Sequence, residues 1–429
     1  MSPYQPRRTR LMAQLASGLV VIPTAPQVAR NADSHYSYRF DSSFYYLTGF
    51  NEPEAVLVLD ASLGRSLLFC REKKPEREIW EGRCIGPDAV CERYGFDEAY
   101  AIEELAERLP TLLKGQQTLW YGLGRNAAFE HEIQRALNRA RSSARDAVSF
   151  PTLLADVQPY IDEMRLFKDE QEIVLMRRAC AISCAAHRQA LRVTCPGRHE
   201  YEIEAELLYQ FGLHGARTPA YESIVAGGAN ACVLHYVENS ALLRDGELLL
   251  IDAGCEYQGY ASDVTRTFPI NGRFSGPQRD VYQVVLAAQH AALAELKPGM
   301  PWNAADHAAL TVLVQGLIDL GLLHGSLDAN LEQKHYRTFY MHRVGHWLGL
   351  DVHDVGVYNI DDAPRTLQPG MVTTVEPGLY IRPGPNVPEA FANIGIRIED
   401  DVLITEQGHE VLSHDMPTDI DALEALYTS

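Results

Sequence analysis

The run Leu248-Leu249-Leu250-Ile251-Asp252 places a carboxylate at the end of an otherwise wholly apolar stretch, closed by Ala253-Gly254. A short continuous apolar run bounded by glycine reads as a buried strand, and an aspartate at its end is costly to bury unless something offsets its charge. Eleven residues further on, Tyr260-Ala261-Ser262-Asp263-Val264-Thr265-Arg266-Thr267 holds a second acid within one hairpin's reach. Like charges so placed repel each other. The pair points to a bound cation, and so to a fold that delivers further ligands to this strand end.

The 429 residues allow two or three domains, each with its own core. A net charge of -19, with acids spread along the chain and no basic block, argues against nucleic acid and anionic membranes as partners. It suits a soluble enzyme in which some of the acids are metal ligands. No apolar run approaches the roughly 20 residues that span a bilayer. Arg7-Arg8-Thr9-Arg10 followed by Leu11-Met12-Ala13-Gln14-Leu15 resembles the start of a secretory signal. Gln14 interrupts the apolar stretch and no small-x-small site follows, so the expectation is a short amphipathic helix leading into a strand at 19–22. The eight cysteines form no Cys-x-x-Cys pair and read as reduced thiols of a cytoplasmic protein. Cys180 and Cys184 share a helical face, and core packing is expected there because no histidine follows at finger spacing.

Residues 1–165 alternate short strands (55–59, 66–69) with helical segments (102–113, 129–140) and hold no dense acid or histidine cluster. Pro151 and Pro159, then Asp162, Glu163 and Arg165, break the pattern, and the domain boundary is placed there, with the second domain at 166–429. That domain opens with a helix capped by Asp169 and continues with a helix at 200–213. Strands are expected at 222–225, 247–252 and 259–269, helices at 279–296 and 302–320, and strands at 371–382 and 395–405. The order repeats. Cys195-Pro196-Gly197, a helix, then Gly246 to Asp252-Ala253-Gly254 is matched by Lys297-Pro298-Gly299, a helix, then Gly370 to Glu376-Pro377-Gly378. Two related halves facing each other would bring Asp252 and Glu376 together at a pseudo-two-fold axis.

Four acids thus stand out: Asp252, Asp263, Glu376 and Glu399. In Gly395-Ile396-Arg397-Ile398-Glu399, strand alternation puts Arg397 on the face of Glu399, where it can hold and orient the carboxylates. A solvated edge strand is the simpler reading for that pair taken alone. His342-Arg343-Val344-Gly345-His346-Trp347-Leu348-Gly349-Leu350-Asp351-Val352-His353 supplies three histidines within twelve residues. It is not a zincin motif: Arg343 stands where the catalytic glutamate belongs, and Val352 where a third ligand histidine would be. Gly345 and Gly349 favour an irregular segment over a helix. Four carboxylates and one imidazole suit two divalent ions of the manganese or cobalt type, with zinc possible. Two such ions about 3.5 Å apart can share and ionise a water, which is machinery for hydrolysis.

These stretches, with Val233-Leu234-His235-Tyr236, Val375-Glu376-Pro377-Gly378-Leu379-Tyr380 and Tyr45-Tyr46-Leu47-Thr48-Gly49-Phe50, resemble the pita-bread metallopeptidases, and within them the aminopeptidase P family. The resemblance spans nearly the whole chain. It implies an α+β protein: an N-terminal α/β creatinase-like domain over 1–165 and a pita-bread catalytic domain over 166–429. It also implies an activity, release of the N-terminal residue from peptides with proline second, by a bridging hydroxide on a dinuclear metal centre. By the same resemblance Asp252 binds one ion, Asp263 and Glu399 bridge both, and His346 and Glu376 complete the second. Glu376 moves a proton to the leaving proline nitrogen. His235 and His353 bond the substrate carbonyl, His342 lines the prolyl pocket, Tyr380 and Arg397 support the site and contact substrate or intermediate, and Trp80 reaches an active site, that of a neighbouring subunit included. A dimer or tetramer is implied. Arg343 departs from the family pattern, which has smaller uncharged residues there.

Three other readings share this fold. A prolidase would cut only dipeptides. A creatinase-like enzyme would lack the metals, which the intact ligand set argues against, and a non-catalytic binding protein would have lost ligands.

Overall fold

The computed structural model describes residues 3–142 and 149–427. The chain divides into two compact units, Met1–Arg165 and Leu166–Ser429. The first is built on a six-stranded sheet in the order Glu98–Ala101, Arg65–Cys70, Val56–Asp60, Leu19–Pro23, Thr118–Trp120, Leu153–Ala155. Val56–Asp60 runs antiparallel to both neighbours, and the remaining pairs are parallel. Leu19, Val21, Val58, Leu67 and Phe69 of the sheet pack against Leu105 and Leu109 of the helix Leu105–Leu112 and Ile133 and Ala136 of Ala127–Ser142. The basic N-terminal stretch folds as the helix Tyr4–Leu15, with Arg7 and Arg8 buried. Their guanidinium groups donate to the carbonyls of Tyr46, Leu47 and Tyr94 at 2.9–3.1 Å, so these charges act as structural donors.

The second unit begins with the helix Glu170–Val193. Asp169 accepts from the backbone N–H groups of Gln171 and Glu172 at 3.0 Å, and the Glu172 carboxylate reaches back to the Asp169 N–H at 3.0 Å, a reciprocal cap. Helices Glu200–Leu213, Gly276–Glu295 and Ala304–Asp319 follow. The apolar strand is central in an antiparallel sheet, Ile224–Gly227, Leu248–Asp252, Thr265–Pro269, whose register sets Asp252 opposite Ile224 and Thr265. A second sheet contains Val372–Val375, Asp400–Thr405 and Gly408–Val411.

The internal repeat is visible in the backbone. Beside Val372–Val375 the segment 344–348 runs extended and hydrogen-bonds to it through Leu348 N to Val372 O (3.1 Å), Thr374 N to His346 O (2.9 Å) and Glu376 N to Val344 O (2.7 Å). It takes the place that Ile224–Gly227 takes beside Leu248–Asp252. The matched turn glycines are all left-handed: Gly197 and Gly299 at φ 93° and 88°, Gly246 and Gly370 at 79° and 89°. Only glycine reaches this region without strain, so the sequence match at these turns is a match of conformation.

Three expected strands are interrupted. Residues 259–269 split into Tyr260–Ala261 and Thr265–Pro269, 371–382 into Val372–Val375 and Gly378–Ile381, and 395–405 into Ile394–Arg397 and Asp400–Thr405. The breaks fall at Asp263, Glu376 and Glu399. Arg397 and Glu399 therefore do not share one strand face by simple alternation, as the sequence predicted, and neither is solvated: they are 4 % and 2 % exposed. The expected strand at 222–225 is Ile224–Gly227. Pro377 has no N–H to continue a ladder, and the break lets each carboxylate turn out of the pleat. A side chain at Gly254 would collide with the Ser262 carbonyl, whose own hairpin delivers Asp263. Gly254→Ala is expected to cost about 1–3 kcal/mol through that overlap. A urea-unfolding midpoint equal to the parent's would contradict this account of the turn.

Among the described residues no helix is long and apolar enough to cross a membrane. All eight cysteines are free thiols. Cys180 and Cys184 are buried on one helix, their sulfurs against the Asp401 carboxyl and the Ser413 carbonyl.

Candidate metal centre

Asp252, Asp263, His346, Glu376 and Glu399 line one cavity of about 500 Å³ in the second unit, with Tyr221, His235, His342, Arg343, His353, Tyr358 and Arg397 around them. His346 Nε2 lies 3.4 Å from Asp263 Oδ2 and 3.6 Å from Glu376 Oε1. Asp263, His346 and Glu399 each offer one ligand atom, all within 4.8 Å of one another. His346 Nδ1 is 3.0 Å from the Trp347 carbonyl, to which only an N–H can donate, so Nε2 is the ring atom that faces the acids. The extended segment 344–348 fixes that ring, with the His346 N–H donating to Thr374 Oγ1 at 3.0 Å.

The surrounding hydrogen bonds orient the acids. Arg397 donates to Asp252 Oδ2 (2.5 Å), the Tyr380 hydroxyl (2.9 Å) and Thr265 Oγ1 (3.2 Å). Thr265 in turn donates to Glu399 Oε2 at 2.5 Å. The Asp263 N–H donates to Asp401 Oδ2 at 3.0 Å. Tyr221 OH lies 2.6 Å from Asp252 Oδ1 and 2.5 Å from Asp263 Oδ1. One hydroxyl carries one proton, so Tyr221 can donate to only one of the two acids at a time.

The charge balance is one-sided: four carboxylates converge, and Arg397 is the arginine bonded to them. Burial raises Glu376 to about 7 against the pull of His346, and raises Glu399 well above the usual carboxylate range, reinforced by Asp263. Burial also raises Asp252, with Arg397 opposing it. Asp263 is held below its usual value because the hydrogen bond and charge of His346 overcome burial. His346 itself rises to about 9, Asp263 and Glu376 outweighing burial. Protons here compensate what a cation would compensate, and oxygen-plus-imidazole donors are the set that manganese, cobalt or zinc accepts. The residues present fit a metal centre.

The comparisons with known proteins agree with this geometry. The sequence profile of Metallopeptidase family M24 matches residues 174–406, and that of the aminopeptidase P N-terminal domain matches residues 4–120. The Escherichia coli Xaa-Pro aminopeptidase is 46 % identical over 99 % of this chain and 97 % of its own length. The chain belongs to metallopeptidase family M24, on its aminopeptidase P branch. Its fold matches the solved aminopeptidase PepP of Pseudomonas aeruginosa with a TM-score of 0.98, at 46 % identity over 99 % of this chain and 97 % of the other. An Escherichia coli aminopeptidase P variant solved in complex with substrate matches at 0.97, with 45 % identity over 100 % and 98 %. The pita-bread catalytic fold and the preceding aminopeptidase P-type N-terminal domain expected from sequence are therefore the architecture of this M24 member.

Segment 342–353 forms no helix, as its glycines suggested. His235 and His353 are exposed on the cavity wall, and neither ring makes a hydrogen bond among the described residues. The His353 ring stands edge-on to His346 at 4.4 Å between centroids. His342 lines the cavity. Its Nδ1 is 2.7 Å from the Arg343 carbonyl and its Nε2 is 2.8 Å from Tyr380 OH. Burial holds its pKa at about 4, so it is neutral: it donates from Nδ1 and accepts from Tyr380. Tyr380 is fully buried, and its hydroxyl ties Arg397 to His342. Trp80 lies in the first unit on the helix Pro75–Glu81 and is 88 % exposed.

Several residues of this M24 site escaped the sequence reading. Tyr221 sits in Pro219-Ala220-Tyr221-Glu222, which carries no periodic signal. Thr265 follows Asp263 by two residues and could have been flagged as sharing its side. Glu200 looked like an ordinary first-turn helix acid, yet it is fully buried. Its two oxygens accept from Gly227 N (2.7 Å), Asn230 Nδ2 (3.0 Å), Tyr236 OH (2.8 Å) and Ala241 N (2.8 Å), fixing the loop that carries His235. The buried Lys168–Asp354 pair, 3.0 Å apart, does the same beside His353.

Proposed function

We propose that this chain is a metal-dependent aminopeptidase that releases the N-terminal residue from peptides with proline in the second position. One observation carries the reading: five ligand-type side chains and two unbonded imidazoles converge on one cavity, in a chain 46 % identical along its length to an Xaa-Pro aminopeptidase. Asp252, Asp263, His346, Glu376 and Glu399 would hold two divalent ions, with manganese ahead of cobalt or zinc. When bound there, the ions supply an ionised water and polarise the scissile carbonyl. His235 and His353 donate hydrogen bonds to that carbonyl oxygen as negative charge develops on it. The amide nitrogen of proline is tertiary and leaves only once protonated. Glu376, facing the cavity, takes the proton of the attacking water and delivers it to that nitrogen as the C–N bond breaks. Arg397 favours the ionised form of Asp252 and holds it in place, and His342 lines the prolyl site.

Tyr221→Phe is expected to leave the acids without their shared donor and to weaken metal binding by roughly 10-fold or more. Titration of metal-free protein with manganese measures this, and an affinity equal to the parent's would contradict the role given to Tyr221.

Residues 1–165 serve as an N-terminal domain to the catalytic domain at 166–429, in a cytoplasmic protein that self-associates as a dimer or tetramer. The adjacent exposed side chains Ile79 (81 %) and Trp80 (88 %) support self-association, since large apolar groups side by side on a surface mark contact sites. A monomer at every concentration in light scattering would remove that element. A prolidase would share the metal centre, and peptide length decides between them. Hydrolysis of Xaa-Pro-Xaa tripeptides is expected, and activity confined to Xaa-Pro dipeptides would overturn the aminopeptidase reading.

A further inference from the structure

We infer that Arg343 reads the substrate beyond the proline: its guanidinium binds a carboxylate carried by the residue after proline, so that peptides anionic there are favoured. The inference rests on the aminopeptidase reading above.

Arg343 lines the same cavity as the acids, and its side chain makes no hydrogen bond or ion pair among the described residues. Arg397, the other arginine of the cavity wall, is committed to Asp252, Tyr380 and Thr265. In a chain of net charge -19, an arginine with no acidic partner at a cavity wall is a local exception. Its main chain is fixed on both sides, by His342 Nδ1 donating to the Arg343 carbonyl at 2.7 Å and by the Val344 N–H donating to Asp306 Oδ1 at 3.0 Å.

The guanidinium carbon lies 5.7 Å from the Tyr358 ring centroid and 6.0 Å from that of Trp302. That platform is rigid: Tyr358 stacks on the fully buried Trp347 at 5.3 Å and 4°, packs against Trp302 at 4.5 Å, and accepts from the Trp347 N–H at 3.1 Å. A guanidinium resting on aromatic faces keeps its N–H edges available, and their fork geometry matches a carboxylate.

Location selects which part of the substrate it meets. The N-terminal end of a bound Xaa-Pro peptide sits at the metal-binding acids and carries an amine there, so a carboxylate of the substrate lies further along its chain. Arg343 directly follows His342, which lines the prolyl site, so its charge falls on the side of the chain that continues past proline. The carboxylate can be the free C-terminus of a tripeptide or an aspartate or glutamate side chain of a longer peptide.

The test uses metal-loaded enzyme and two peptide pairs: Ala-Pro-Ala as free acid against its amide, and Ala-Pro-Glu-amide against Ala-Pro-Gln-amide. In the parent enzyme kcat/KM is expected to favour the anionic member of at least one pair by about fivefold, the gain of a partly exposed charge pair. The preference should reside in KM and shrink as salt is added. Arg343→Gln is expected to bring the ratio to unity, and Arg343→Lys to keep part of it. A response of the first pair alone identifies the terminal carboxylate, and of the second alone the side chain. A ratio of unity in the parent, or the same ratio in Arg343→Gln, would overturn the inference while leaving the aminopeptidase reading intact. Cleavage of none of the four peptides would remove both.

Discussion

Glu376→Gln is expected to lower kcat by roughly two to four orders of magnitude, the range that a positioned acid–base group contributes. The substitution keeps the shape of the side chain and removes its capacity to carry a proton from the attacking water to the proline nitrogen. Structure should survive it. The Glu376 backbone stays bonded to Val344 through the 2.7 Å N–H contact, and the side chain meets the Thr374 hydroxyl at 3.3 Å, a partner a glutamine can keep. Removing one of four crowded carboxylates relieves repulsion, so the unfolding midpoint of the metal-free variant should equal or exceed the parent's. A kcat near the parent's at saturating metal would show that another group moves the proton.

The second large effect lies beside the site. Arg266→Met is expected to destabilise the protein by roughly 3–5 kcal/mol, the cost of leaving a buried charge without its partner. Arg266 is fully buried. It donates to Asp400 Oδ1 (2.7 Å) and to the carbonyls of Thr265 (2.9 Å), Glu399 (2.5 Å), Met416 (2.6 Å) and Pro417 (3.1 Å). Methionine fills much of the volume but strands the Asp400 carboxylate, which among the described residues retains Gln289 and Ser413 at 2.7 and 2.5 Å. Lysine should rescue little, because a point charge cannot serve donors arranged as a fork. Since Arg266 holds the carbonyl of Glu399, the variant should also lose metal affinity. A urea-unfolding loss below about 1 kcal/mol would place this arginine among ordinary surface-like substitutions and contradict the account.

The parts of the fold that announced themselves in the sequence were those under a local rule. An apolar run ending in Asp252 has one comfortable solution, a buried strand with compensated charge. The turn glycines at 197, 246, 299 and 370 recur because each has a left-handed backbone, and their spacing exposed the duplication. The five ligand candidates were legible because acids and histidines among apolar neighbours are conspicuous. Strand breaks were not legible. Alternation carries Ile396 to Glu399 smoothly on paper, yet the chain leaves its ladder after Arg397, and Glu399 meets Thr265 in an isolated bridge across the two halves. Tyr221 and Glu200 were missed for the opposite reason. Each is an unremarkable residue type in an unremarkable context, and its importance comes from partners far along the chain, Asp263 for the one and Tyr236 and Ala241 for the other.

The central claim is that the converging acids and His346 form a binding site for divalent ions on which hydrolysis depends. Elemental analysis of protein dialysed against manganese, with Ala-Pro-Ala hydrolysis assayed on the same sample before and after chelation, tests it directly. The account requires about two ions per chain, loss of turnover on their removal, and a fall in both for Asp263→Asn. Full activity in protein stripped of metal, or a stoichiometry near zero in active protein, would contradict it.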